Sequence, residues 1–149
     1  MFGKLASSEG VAKDFGLLLL RLGVGIGMFL FHGYDKIMGG PERWEGVGGA
    51  AAHFGVTFMP VAWGFLAAFA ESVGSILIVL GPLFRFATLM LAFNMFVAVL
   101  AHMNMPVDNP NAGFSGAEKA MLYMVVYISL FFTGPGRFAA KLSKADSRR

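Results

Sequence analysis

From Val61 to Leu80 the chain runs twenty residues with a single charged side chain, Glu71, at its middle. A helix needs roughly 17–25 residues to cross a bilayer, so this run is of membrane length as it stands. An ionised carboxylate at that depth costs several kcal/mol unless something pairs with it, and the cost marks Glu71 as part of a working interior. Arg21 poses the same problem inside the run Phe15–Phe31. An acid and a base in two membrane-length segments are read as partners. Arg21 lies about six residues from one end of its span and Glu71 about ten from the opposite end of the next, so at 1.5 Å per residue their levels differ by only several Å. An arginine side chain bridges that gap.

Two further apolar runs follow, Phe86–Ala101 and Ala120–Thr133, which reach membrane length once their polar ends are included. Charged residues make up 14% of the chain, against about 25% in an ordinary soluble domain. Mean hydropathy is +0.66. The core of a soluble helical bundle is the competing account, and four such runs with so few charges between them weigh against it. The expected fold is an all-α membrane protein, a single-domain bundle of four transmembrane helices over about 15–34, 60–80, 85–103 and 117–133. The first run is a retained span rather than a signal peptide, because it lacks a small-x-small cleavage site and Arg21 breaks its apolar centre.

Basic residues set the orientation. Lys4, Lys13, Arg85, Arg137, Lys141, Lys144, Arg148 and Arg149 fall on one side; Lys36, Arg43 and Lys119 fall on the other. Both termini are therefore expected in the cytoplasm. The basic tail 137–149 and the pI near 9.5 follow from this rule and from anionic lipid headgroups, without nucleic acid as a partner. The chain has no cysteine, which excludes disulfides, thiolate metal sites and iron–sulfur clusters.

The longest connection, 35–59, breaks at Gly39-Gly40-Pro41 and then reads as a short helix in the outer interface, anchored by Trp44 and Phe54. Pro60 suits the first turn of the second span, and Gly81-Pro82 a tight turn into the third. Ser115-Gly116-Ala117-Glu118 reads as a capping box opening the fourth helix, which Gly134-Pro135-Gly136 ends. Gly23, Gly25 and Gly27 follow no strand and lack the third glycine of a dinucleotide loop. Gly23-x-x-x-Gly27 is a close helix-packing face instead.

Around Glu71 the helical neighbours Ala67, Ala68, Gly74 and Ser75 are all small. They let another helix approach closely, or leave room for water or a ligand head group. Two accounts of the Arg21–Glu71 pair stand side by side: a fixed bond that pins two helices, and a proton-handling or polar-ligand centre. Asn94, midway along the third span, is placed to add hydrogen bonds to that centre. A second polar group gathers at the outer ends of the spans, with His32, Asp35, Lys36, His102 and Glu118, and His53 nearby. His32, His102 and Glu118 are the weak metal candidates. No HxxxH-type spacing supports them, so a metal is not expected.

These residues and their order resemble the DoxX family of small four-helix bacterial membrane proteins, from about Phe15 to Phe138. The resemblance rests on Leu19-Leu20-Arg21-Leu22, His32-Gly33 with Lys36, Ala70-Glu71 with Gly74, Gly81 to Arg85, Asn94, His102, Glu118 and Gly134-Pro135-Gly136-Arg137. It implies a multi-pass protein of the bacterial inner membrane, linked to quinone oxidoreductase systems. On that reading Arg21 and Glu71 are catalytic, and Arg21, Glu71, Asn94 and Ser75 hold a quinone. The outer group His32, Lys36, His102 and Glu118 receives a further subunit or a second copy. A non-catalytic interaction or assembly subunit is one alternative. A small proton-coupled transporter acting as an oligomer is another.

Overall fold

The computed structural model describes residues 2–140, with side chains from Glu9 onward. The Lys4 side chain and the tail residues Lys141, Lys144, Arg148 and Arg149 lie outside the described residues. Helix dominates, and no strand occurs among the described residues. Among the described residues four helices are long and apolar enough to cross a membrane. The first, α1, runs Phe2–Met28, passes through a π-helical turn Phe29–Gly33 and continues as Tyr34–Met38, its membrane-length part being Glu9–Met38. A short helix, α2, follows at Gly40–Gly48 and leads into a 3₁₀ segment, Gly49–Phe54. The other three spans are α3 (Pro60–Leu80, with a π-helical turn at Ala70–Gly74), α4 (Phe84–Met103) and α5 (Gly113–Thr133). The connections 39–59 and 104–112 define a loop end. The α3–α4 turn and the residues after α5 define a terminal end.

Pro60 occupies the first turn of α3, where its missing N–H costs nothing. Gly81, at φ +103°, ends that helix. The α5 helix begins at Gly113 with no side-chain cap on its first turn. Ser115 therefore lies inside the helix, and the expected capping box does not form. Gly116 packs on the Asn111 main chain, so backbone contact sets the start of α5.

One cluster of buried side chains draws on all four spans: Met28 from α1, Ile78 from α3, Leu91 and Met95 from α4, Tyr127 and Leu130 from α5. In lipid such packing holds helices by van der Waals contact rather than by escape from water, so small residues mark the close approaches. A Cβ on Gly25 would strike the Val79 side chain, and one on Gly27 would lie 3.0 Å from the Tyr123 hydroxyl. Gly23 is exposed and meets nothing. The packing face of α1 is thus Gly25 and Gly27, not the Gly23-x-x-x-Gly27 pair.

The α2 helix does not lie flat in the interface. Trp44 main-chain atoms pack on Gly64, and Gly48 packs on the Pro60 carbonyl, so α2 runs antiparallel along the first turns of α3. The Trp44 indole donates to the Lys36 carbonyl at 2.8 Å and stacks edge-on to Phe65. One indole hydrogen bond, one aromatic contact and two glycine contacts thus turn a surface anchor into an inward-packed element. As a result α1 ends well below the start of α3, and Lys36 sits at membrane depth.

Candidate functional site

The expected Arg21–Glu71 pair does not form. Arg21 is completely buried and spends its donors on backbone carbonyls: Nε on Ile78 O at 2.9 Å, Nη2 on Val79 O at 2.6 Å and Nη1 on Pro135 O at 2.7 Å. Its guanidinium also lies over the Phe84 ring. The last carbonyls of α3 carry the negative end of the helix dipole. Arg21 therefore caps α3 and ties it to the turn after α5. The reason is directional. Side chains lean toward the N-terminus of their own helix, so Arg21 reaches toward the terminal end while Glu71 leans toward the loop end.

Glu71 meets Lys36 instead. Lys36 Nζ donates to Glu71 Oε1 at 2.6 Å, and Asn94 Nδ2 donates to the same oxygen at 2.9 Å. Glu71 is 2% exposed, and its second oxygen, Oε2, has no partner. Glu71 lies eleven residues beyond Pro60, on the order of 16 Å along the helix and so near the middle of a hydrocarbon layer about 30 Å thick. Asn94 thus joins Glu71 as expected. The base is Lys36 rather than Arg21.

Two π-helical turns build this centre. One holds Glu71, the other His32, and they face each other where α1 crosses α3. A Cβ on Gly33 would stand 2.7 Å from the Glu71 carbonyl, so only glycine permits the crossing. A π turn loosens the regular hydrogen-bond ladder and recurs at functional sites. Here Ser72 Oγ donates to Ala68 O at 2.7 Å and Ser75 Oγ to Glu71 O at 2.5 Å, supporting the loosened backbone. Ser75 is fully buried and lines neither cavity described below. Its hydroxyl serves the helix rather than a ligand.

Two cavities meet at the Glu71–Asn94 bond. A polar one of about 410 Å³ is lined by Glu71, Lys36, His32, His102, Glu118 and Lys119, with Tyr123 between them. The two polar groups that the sequence sets apart, one in the membrane and one at the outer ends, are therefore walls of one space. His32 stands edge-on to Tyr123, and His102 Nδ1 lies 2.8 Å from the Asn111 carbonyl. His32, His102 and Glu118 do not converge: no group of three His, Asp or Glu that could hold a metal ion occurs among the described residues. Asp35 and His53 are exposed and line neither cavity.

The second cavity, about 590 Å³, is apolar and lies between the α2 segment, α3 and α4. Trp63, Leu66, Phe69, Met90 and Phe93 furnish its walls, small residues such as Gly48 and Ala51 its roof, and Asn94 its one polar side chain. Asn94 thus faces the apolar cavity while binding the floor of the polar one.

Sequence reasoning missed Tyr123, Tyr127 and the whole apolar cavity. Gly116, Ala120, Tyr123 and Tyr127 recur at helical spacing on one face of α5, a pattern that was available in the sequence. The DoxX family model matches residues 16–104. No curated protein and no solved structure matches the chain.

Proposed function

Since the chain belongs to the DoxX family of membrane proteins, we propose that it is a quinone-linked redox subunit of a bacterial inner membrane, working with a further subunit or a second copy. The observation that carries this reading is Asn94: one amide bonded to the buried Glu71 carboxylate and exposed in an apolar cavity between helices. A quinone has that chemistry. Its ring and isoprenoid tail favour an apolar cavity, and its carbonyl or hydroxyl oxygens need one or two well-placed polar groups. The head group hydrogen-bonds to Asn94, and Glu71 takes or returns the proton that accompanies each electron. Lys36 pairs with the carboxylate through Oε1. The electrons come from a partner or a bound cofactor, since the described side chains supply no redox centre of their own.

Orientation follows the basic residues. Lys36 leaves the loop count because it pairs inside the membrane, so the excess on the terminal side grows and the loop end faces outward. Arg21 has no catalytic part in this reading, and Ser75 no ligand contact.

Purification in mild detergent followed by lipid extraction tests the proposal. A stoichiometric quinone is expected with the wild-type chain, and its loss in Asn94→Leu and Glu71→Gln, with both variants still folded. Equal quinone in all three, or none in any, overturns it.

A further inference from the structure

The polar cavity reaches from the loop end to Glu71, and on the far side of Glu71 the described side chains are apolar and buried. We propose that it is a half-channel: it carries water and protons between the loop-end solution and Glu71, and it is closed toward the terminal end. The inference takes from the proposed function only that Glu71 handles a proton; the identity of the lipid-soluble ligand does not enter.

The cavity is graded along its length. Pro110, Asn111 and Ser115 form its mouth at the loop end. Charged and titratable groups from three spans follow: His102 on α4, Glu118 and Lys119 on α5, His32 and Lys36 on α1. Tyr123 lies ten residues into α5 from Gly113, roughly 15 Å from that helix end. Glu71 forms the floor, with Oε2 buried and unpartnered. An isolated carboxylate oxygen at this depth is costly unless a proton or water serves it. One turn beyond Tyr123, the Tyr127 hydroxyl is a second fully buried polar group without a partner. A proton delivered to this floor gives Oε2 the partner it lacks.

The path stops there. Between Glu71 and the terminal end lie Ile78, Leu91 and Leu130, each with no exposure, and Phe84 with 4%. Beneath them the Arg21 guanidinium is held by three backbone carbonyls. A dry plug backed by a fixed positive charge excludes hydrated protons. In the transfer step an O–H bond of a hydronium breaks as an O–H bond forms at Oε2. The reverse step restores the carboxylate that Lys36 pairs with.

The chain has no cysteine, so single-cysteine variants in sealed vesicles read the path with a charged, membrane-impermeant thiol reagent. Tyr123→Cys and Ala98→Cys line the cavity. Leu122→Cys, at the same depth as Tyr123 and 61% exposed toward lipid, is the control. Ser115→Cys marks the loop face and Leu83→Cys the terminal face. A thiol in apolar surroundings resists ionisation, so the two cavity positions are expected to react at least about tenfold faster than Leu122→Cys, from the face that labels Ser115→Cys only. Unreactive cavity positions beside a reactive Ser115→Cys overturn the channel, and labelling from both faces overturns its one-sidedness. Either result is separate from the quinone content, which the extraction measures.

Discussion

Arg21 and Glu71 are both buried at membrane depth, and their surroundings could hardly differ more. Arg21 is closed: three backbone carbonyls and an aromatic face engage it, and it lines neither of the two cavities. Glu71 is open: one oxygen carries two donors, the other is buried without a partner, and the residue lines a polar cavity. An ionisable group in a membrane is a functional candidate by default. The contrast refines that default. A buried charge held by main chain on three sides reads as architecture, whereas one left half-satisfied beside a cavity is the candidate for chemistry.

The sharpest way to break the contrast is Arg21→Met. It strands two carbonyls at the end of α3 and the Pro135 carbonyl after α5, each costing about 1–3 kcal/mol when unmade. The expected loss of about 3–5 kcal/mol shows as a large fall in thermal midpoint, followed by Trp44 and Trp63 fluorescence in detergent. Quinone binding in whatever remains folded should be intact. Lys36→Met comes next. Removing one partner of a buried ion pair costs about 3–5 kcal/mol, less here because Lys36 is itself 22% exposed. The double variant Lys36→Met/Glu71→Gln should recover most of that stability and none of the ligand binding. A double variant no more stable than Lys36→Met would mean that the Glu71 site is architecture too.

Gly33→Ala sharpens the comparison from the backbone. Its Cβ would press on the Glu71 main chain, at an overpacking cost of about 1–3 kcal/mol. Ligand affinity should fall further than stability, because the π turn that aims Glu71 must shift. Asp14→Asn has the smallest expected effect. The Asp14–Arg137 contact is long, at 3.8 Å, with Arg137 57% exposed, so about 0.5 kcal/mol or less is expected by chemical or thermal unfolding.

The fold class was legible because four apolar runs separated by glycine and proline leave a membrane chain few alternatives. Glu71 and Asn94 were legible because each is a polar side chain where polarity is costly. The Arg21 partnership was misread for a physical reason. Depth along a helix fixes where a Cα sits, not which way a long side chain leans, and these two lean apart. Lys36 was placed outside the membrane because Gly39-Gly40-Pro41 marks the helix end. What Gly39 and Gly40 do not disclose is that the chain there is still deep, and that α2 climbs back along α3. The capping box failed similarly: Ser115 to Glu118 has the right letters, but the Gly116–Asn111 contact starts the helix earlier.

The facing π turns carry one last consequence. Each amounts to a single residue inserted into an otherwise regular helix, and each rotates everything beyond it by about 100°. Deleting Val73 from the turn in α3 would let the ladder close into ordinary i→i−4 bonds and swing the carboxylate away from its lysine. Such a shortened chain is expected to be a better helix and a poorer protein: an easily folded scaffold whose register has been corrected at the expense of its purpose.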